Sequence, residues 1–176
     1  MRLQQWILDE FDEMSARLRT QVLALVPPER RHERPGGGNS INWAAFHVAR
    51  HADLALAIID GGEPRRRGGF GLGEVEHVGP EPLDAAEVER YVLDVTADAR
   101  DFILTLDIGQ LERMPDAARA LELAGVPRGE FAWLYEQWSG QTVAFFLRWP
   151  LTAHATNHIG EMIATRNLMG LSPYSS

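Results

Sequence analysis

The sequence contains no cysteine. That absence excludes disulfide stapling, thiolate metal ligands and a nucleophilic thiol supplied by the protein itself, and it fits a reducing compartment. No apolar run approaches the ~18 residues that a membrane span needs. The first residues, Met1-Arg2-Leu3-Gln4-Gln5-Trp6, turn quickly acidic and amphipathic and do not read as a signal peptide. A soluble, cytoplasmic protein with no membrane partner is therefore expected. Positive charge is also scarce: 17 Lys and Arg face 25 Asp and Glu, a formal net charge of -8. A surface of that sign repels phosphate backbones and argues against nucleic acid as a partner. The basic cluster Arg65-Arg66-Arg67 lies in a Gly-rich stretch and reads as a solvated loop.

The chain's 176 residues suit one domain, 1–176, with a real core. Apolar side chains recur at helical spacing from Leu3 to about Val26 (Leu3, Trp6, Ile7, Phe11, Met14, Leu18, Val22, Leu25), and Pro27-Pro28 stops the pattern. Ser40 is placed to cap a second helix, Ile41 to about Ile59, which is apolar nearly all round and so buried on more than one side. Asp84 and Glu87 form a capping-box pattern before a third helix with its stripe at Val88, Tyr91, Val92, Val95, Ala99, Phe102, Ile103 and Leu106. The stretch 107–147 is less periodic. Glu130 to Trp138 reads as a short helix, and Gln141 to Trp149 as either extended or an early start to the last helix. Pro150 suits a first helical position, and Gly170 a helix end. The expected class is all-α: a four-helix bundle with long connections between helices 2 and 3 and between helices 3 and 4. Trp6, Trp43, Phe102 and Met162, each on an apolar stripe, are expected in the core.

Four of the six histidines form two i,i+4 pairs, His47/His51 and His154/His158. Residues four apart share a helix face, with Cβ atoms ~5–6 Å apart, close enough for two imidazoles to reach one ion. A further ligand must come from another helix, because one face cannot wrap an ion. Both pairs sit in helices that should be mostly buried, where an imidazole without a partner is unfavourable. Together they argue for a shared site. Counting from Ile41, His47 is seventh; counting from Pro150, His154 and His158 are fifth and ninth. At ~1.5 Å per residue His47 lies level between them if the two helices are parallel, as in an up-down-up-down bundle. A last helix beginning near Val143 lets an antiparallel pair align them as well. His32 and His77 fall in polar connectors and read as surface residues.

Ser40-Ile41-Asn42-Trp43 followed by His47, with His154-x-x-x-His158-x-Gly160-Glu161 in the last helix, resembles the DinB-like metal-binding superfamily. The resemblance implies a four-helix bundle with His47, His154 and His158 as ligands to one divalent metal. It departs from the family's common His-Arg-Gly-Gln, since Ile159 and Glu161 stand at the arginine and glutamine positions. Related domains serve in transferases and isomerases that use low-molecular-weight thiols such as mycothiol or bacillithiol. A chain without cysteine would need such an exogenous thiol.

Three imidazoles leave a coordination position open, as in catalytic sites. Nitrogen-only ligation suits zinc first and nickel second, and disfavours calcium and magnesium. Glu161, three residues past His158, is the candidate catalytic residue, as a proton shuttle or a group that orients the imidazole; it also suits a solvent-facing carboxylate. His51 is a fourth ligand, a supporting hydrogen-bond partner or a bystander. The Gly-rich connector Glu63 to Leu83 is the candidate lid over a cavity lined by Trp43. Two functions follow: a metal-dependent thiol S-transferase, or a metal-binding or stress-induced interaction protein without catalysis. Histidine pairs that are structural only are the third reading. The expected partners are a small thiol or other small substrate and a second copy of the chain in a homodimer.

Overall fold

The computed structural model describes residues 2–66 and 84–174, and among these every regular element is helical. The first apolar stripe winds Leu3–Arg17 into α1, continued without a break by a π-helical stretch, Leu18–Leu23. Leu8, Phe11, Met14, Leu18 and Val22 are buried along it. Ser40 caps α2 (Ile41–Asp60) by accepting the amide of Trp43 at 3.1 Å, and Gly61 ends it in the left-handed conformation (φ 73°) that favours glycine. Asp84 caps α3 (Ala85–Thr105) by accepting the amide of Glu87. Two short helices, α4 (Ala117–Leu123) and α5 (Ala132–Trp138), occupy the connection that follows. Thr142 then caps α6 (Val143–Arg148). A π-helical stretch, Trp149–Ala153, joins α6 to α7 (His154–Leu168).

Side-chain pairs give the helix directions. Gln4 near the start of α1 donates to the carbonyls of Ile103 and Leu104 at the end of α3, at 3.0 and 2.8 Å, so α1 and α3 are antiparallel. Phe46 in the first half of α2 meets Tyr91 in the first half of α3, and Arg65 just past α2 pairs with Asp98 farther along α3. These two helices therefore run parallel. Arg166 near the end of α7 reaches the carbonyl of Gln21 at the end of the first helical segment, which makes those two segments parallel. The long segments thus run up, down, down, up. That order sets the end of α2 and the start of α3 at opposite ends of the helices. The α2 helix is the central element, in contact with α3, α4, α6 and α7, which explains its apolar circumference.

Two expectations are corrected. Trp6 is 47 % exposed and Leu3 48 %, because the first turns of α1 border an open apolar groove of about 530 Å³ against Ala144, Leu147 and Thr152; Trp43 and Met162 are buried and Phe102 is partly so. Pro150 does not open the last helix. Lacking an N–H, it cannot donate to the preceding turn, and the helix passes through it by widening to π geometry, with the Thr152 hydroxyl donating to the Leu147 carbonyl at 2.9 Å. The α4 helix stands in the less periodic stretch 107–147, where the sequence pattern predicts no element before Glu130. The expected lid falls mainly on residues 67–83, which with His77 lie outside the described residues.

Candidate metal centre

One turn of α2 separates His47 from His51, and one turn of α7 separates His154 from His158. The helices face each other so that all four rings converge. Centroid distances are 4.2 Å for His51–His154, 4.3 Å for His47–His51 and 4.6 Å for His154–His158. His47 lies 4.8 Å from His158 and 5.1 Å from His154. Moving forward along α2, from His47 to His51, shifts the contact backward along α7, so the pairs meet in antiparallel helices. This is the arrangement permitted by the early helix start at Val143, and the parallel alignment from Pro150 is not realised.

Ring protonation follows from the hydrogen bonds. His51 Nδ1 lies 3.1 Å from the His47 carbonyl oxygen, which can only accept, so Nδ1 carries the proton and Nε2 the lone pair. His158 Nδ1 likewise donates to the Glu161 carboxylate at 2.7 Å, leaving its lone pair on Nε2. That Nε2 is 3.2 Å from Nε2 of His154. Metal-binding histidines commonly donate their other ring N–H to a backbone carbonyl or a carboxylate in this way. Burial, and then the neighbouring His51 and His158, push His154 down to about 2 from an ordinary 6.5. It is therefore held as the neutral imidazole that ligates metal. Its Nδ1 is buried with no hydrogen-bond partner among the described residues.

Aromatic rings wall the cluster. Trp43 stacks on His47 with centroids 4.6 Å apart and planes 19° from parallel, Trp138 meets His51 edge-on at 5.9 Å, and Trp149 lies 5.9 Å from His154. Trp43 and Trp138 are buried. Such walls limit water and lower the local dielectric, which strengthens electrostatic interactions inside. The donor atoms of His47, His51 and His154 all lie within 4.8 Å of one another, so three nearby histidines could hold a metal ion. His158, expected from the sequence as a ligand, stands 3.2 Å from His154 but outside that group of three, in which His51 takes its place. The donor set is imidazole throughout, suited to first-row transition metals and zinc. Of the other expected residues, Glu161 is at the rim with its side chain 62 % exposed, and His32 is half-buried outside the cluster.

A second polar cluster, unforeseen from the sequence, lies on the α3-facing side of α2. Asp53 accepts from Arg50 at 3.2 Å, from the Tyr91 hydroxyl at 2.7 Å, and from the backbone amides of Arg65 and Arg66 at 2.8 and 3.1 Å. Burial, reinforced by the charge of Asp53, pushes Tyr91 well above its ordinary value, so it stays a donor. The signal was there: a charged pair at i,i+3 within an apolar helix has to be satisfied.

No family model matches this sequence, and no curated protein matches it. Among solved structures the chain is similar to a conserved protein from Enterococcus faecalis, with a TM-score of 0.63 over 97 % of this chain and 99 % of that one, at 16 % identity. At that identity the likeness speaks for a shared helical fold alone.

Proposed function

We propose that this chain is a divalent-metal-binding protein of the DinB-like kind, a four-helix bundle that grips one ion between α2 and α7. The observation that carries the reading is the convergence of two histidine pairs from facing helices, with donor atoms of three of them within 4.8 Å of one another. Zinc is the first candidate and nickel the second. A bound divalent ion supplies Lewis acidity, lowering the pKa of a coordinated water or thiol. The protein's own part is to hold neutral imidazoles in register, to restrict water with Trp43 and Trp138, and to hold the His158 Nδ1–H on its Glu161 acceptor. Because that carboxylate is largely exposed, it can exchange the proton with solvent.

Elemental analysis of the purified protein tests the reading. About one equivalent of metal is expected in the wild type, and its loss in His47→Ala and in His154→Ala. Equal metal in wild type and variants would defeat it. Thiol S-transfer is the activity the DinB-like resemblance implies, and the lack of cysteine fits a thiol brought from outside. It needs an open coordination position, so its standing depends on His51.

A further inference from the structure

Resting on the metal-binding reading, we propose that His51 is itself a ligand, binding through Nε2 and closing the centre as a set of four imidazoles with His47, His154 and His158. Three observations bear on it. First, the His51 ring stands 4.3 Å from His47 and 4.2 Å from His154, and its donor atom belongs to the group within 4.8 Å. A bystander one turn down the helix would point away. Second, its Nδ1 proton is committed to the His47 carbonyl, which fixes the ring and places the lone pair on Nε2, the ligating tautomer. His158 shows the same device with Glu161. Third, two nitrogens bound at ~2.0–2.1 Å to one tetrahedral ion lie roughly 3.3–3.4 Å apart. His154 and His158 already stand at 3.2 Å, so α7 presents one edge of a tetrahedron; His158 lies outside the group of three within 4.8 Å, and its ring closes on the ion when the α2 pair completes the set.

The chemical consequence is specific. Four imidazoles saturate a tetrahedral ion, as closed structural sites do. A thiol can then reach it only if a ligand leaves. His51 is thus the residue that separates a holding site from a reactive one.

Cobalt(II) titration of the full chain, followed by its visible absorption, tests this. The wild type should take up one cobalt with the intense bands of a four-coordinate nitrogen site, and 2-mercaptoethanol should leave the spectrum unchanged. His51→Ala should weaken cobalt binding by more than the roughly 10–100-fold that loss of an outer partner costs. It should also gain a sulfur-to-cobalt charge-transfer band with the same thiol, a gain that misfolding cannot produce. A thiol band in the wild type would overturn the assignment while leaving the metal site standing, and so would a His51→Ala spectrum and affinity equal to wild type. Absence of cobalt uptake by the wild type would instead remove the metal reading, and this inference with it. The wild-type measurement decides even if the variant fails to fold.

Discussion

Two faces of α2 carry polar side chains into the interior, and they are built on opposite principles. On the side toward α3, Asp53 is surrounded by the donors Arg50, Tyr91 and the amides of Arg65 and Arg66. Those amides fasten the chain leaving α2 to its last turns. On the side toward α7, four imidazole rings meet, those of His51 and His158 with their lone pairs on Nε2, and one ring nitrogen of His154 is buried without a partner among the described residues. A carboxylate ringed by donors stabilises a fold; a convergence of imidazoles invites a cation. The same helix therefore separates a structural polar network from a candidate binding site, one residue apart in sequence at Arg50 and His51.

The sharpest way to break that contrast is to truncate one residue on each face. His154→Ala should reduce bound metal from about one equivalent to none without unfolding the protein, read by elemental analysis beside circular dichroism. Asp53→Ala should keep the metal and lose about 3–5 kcal/mol of stability, the usual penalty for stranding a buried charge, read by urea denaturation. If Asp53→Ala melts like wild type, or His154→Ala keeps its metal, the two faces do not divide the work as described.

Acid should also tell the faces apart. Above pH 6.5 the His154 imidazole is neutral in folded and unfolded chains alike. As pH falls below 6.5 the unfolded chain takes up a proton that the folded one refuses down to about 2. The unfolded state then binds more protons, so stability falls with falling pH across that window, by at most roughly 1.4 kcal/mol per pH unit from this group. His154→Ala should flatten that slope in metal-free protein, whereas Tyr91→Phe should lower stability by a similar amount at every pH in the window. Denaturant midpoints at several pH values check both, and an unchanged slope in His154→Ala would refute the assignment.

The smallest effect is expected at the rim. Glu161→Gln retains an acceptor for His158 Nδ1 but loses the charge, and the side chain is 62 % exposed. Metal affinity should fall toward the low end of the ~10–100-fold range for outer partners, measured by competition with a chelator. No change would reduce Glu161 to a solvent-facing carboxylate.

Much of this was legible locally. The i,i+4 spacing places His47 with His51 and His154 with His158 on shared faces because helical geometry is repetitive and short-range. The Ser40 and Asp84 caps are equally local, each a side-chain oxygen meeting an amide three residues on. Composition alone excluded thiolate ligation. Periodicity along Leu8, Phe11, Met14 and Leu18 marked a buried stripe, although it said nothing of where the stripe runs out, and Trp6 lies beyond that point.

Long-range packing decided the rest. Whether α2 and α7 run parallel depends on how the long helices pack on one another, and no residue spacing encodes that. Pro150 announces a break in hydrogen bonding, but only the packed neighbours determine whether the helix ends there or continues through a π turn. His51 could be read as ligand, supporter or bystander until the opposing helix placed His154 4.2 Å from its ring. The sequence by itself determined which imidazoles share a face; tertiary structure decided which faces meet, because contacts between distant segments depend on the sum of all the packing rather than on any local pattern.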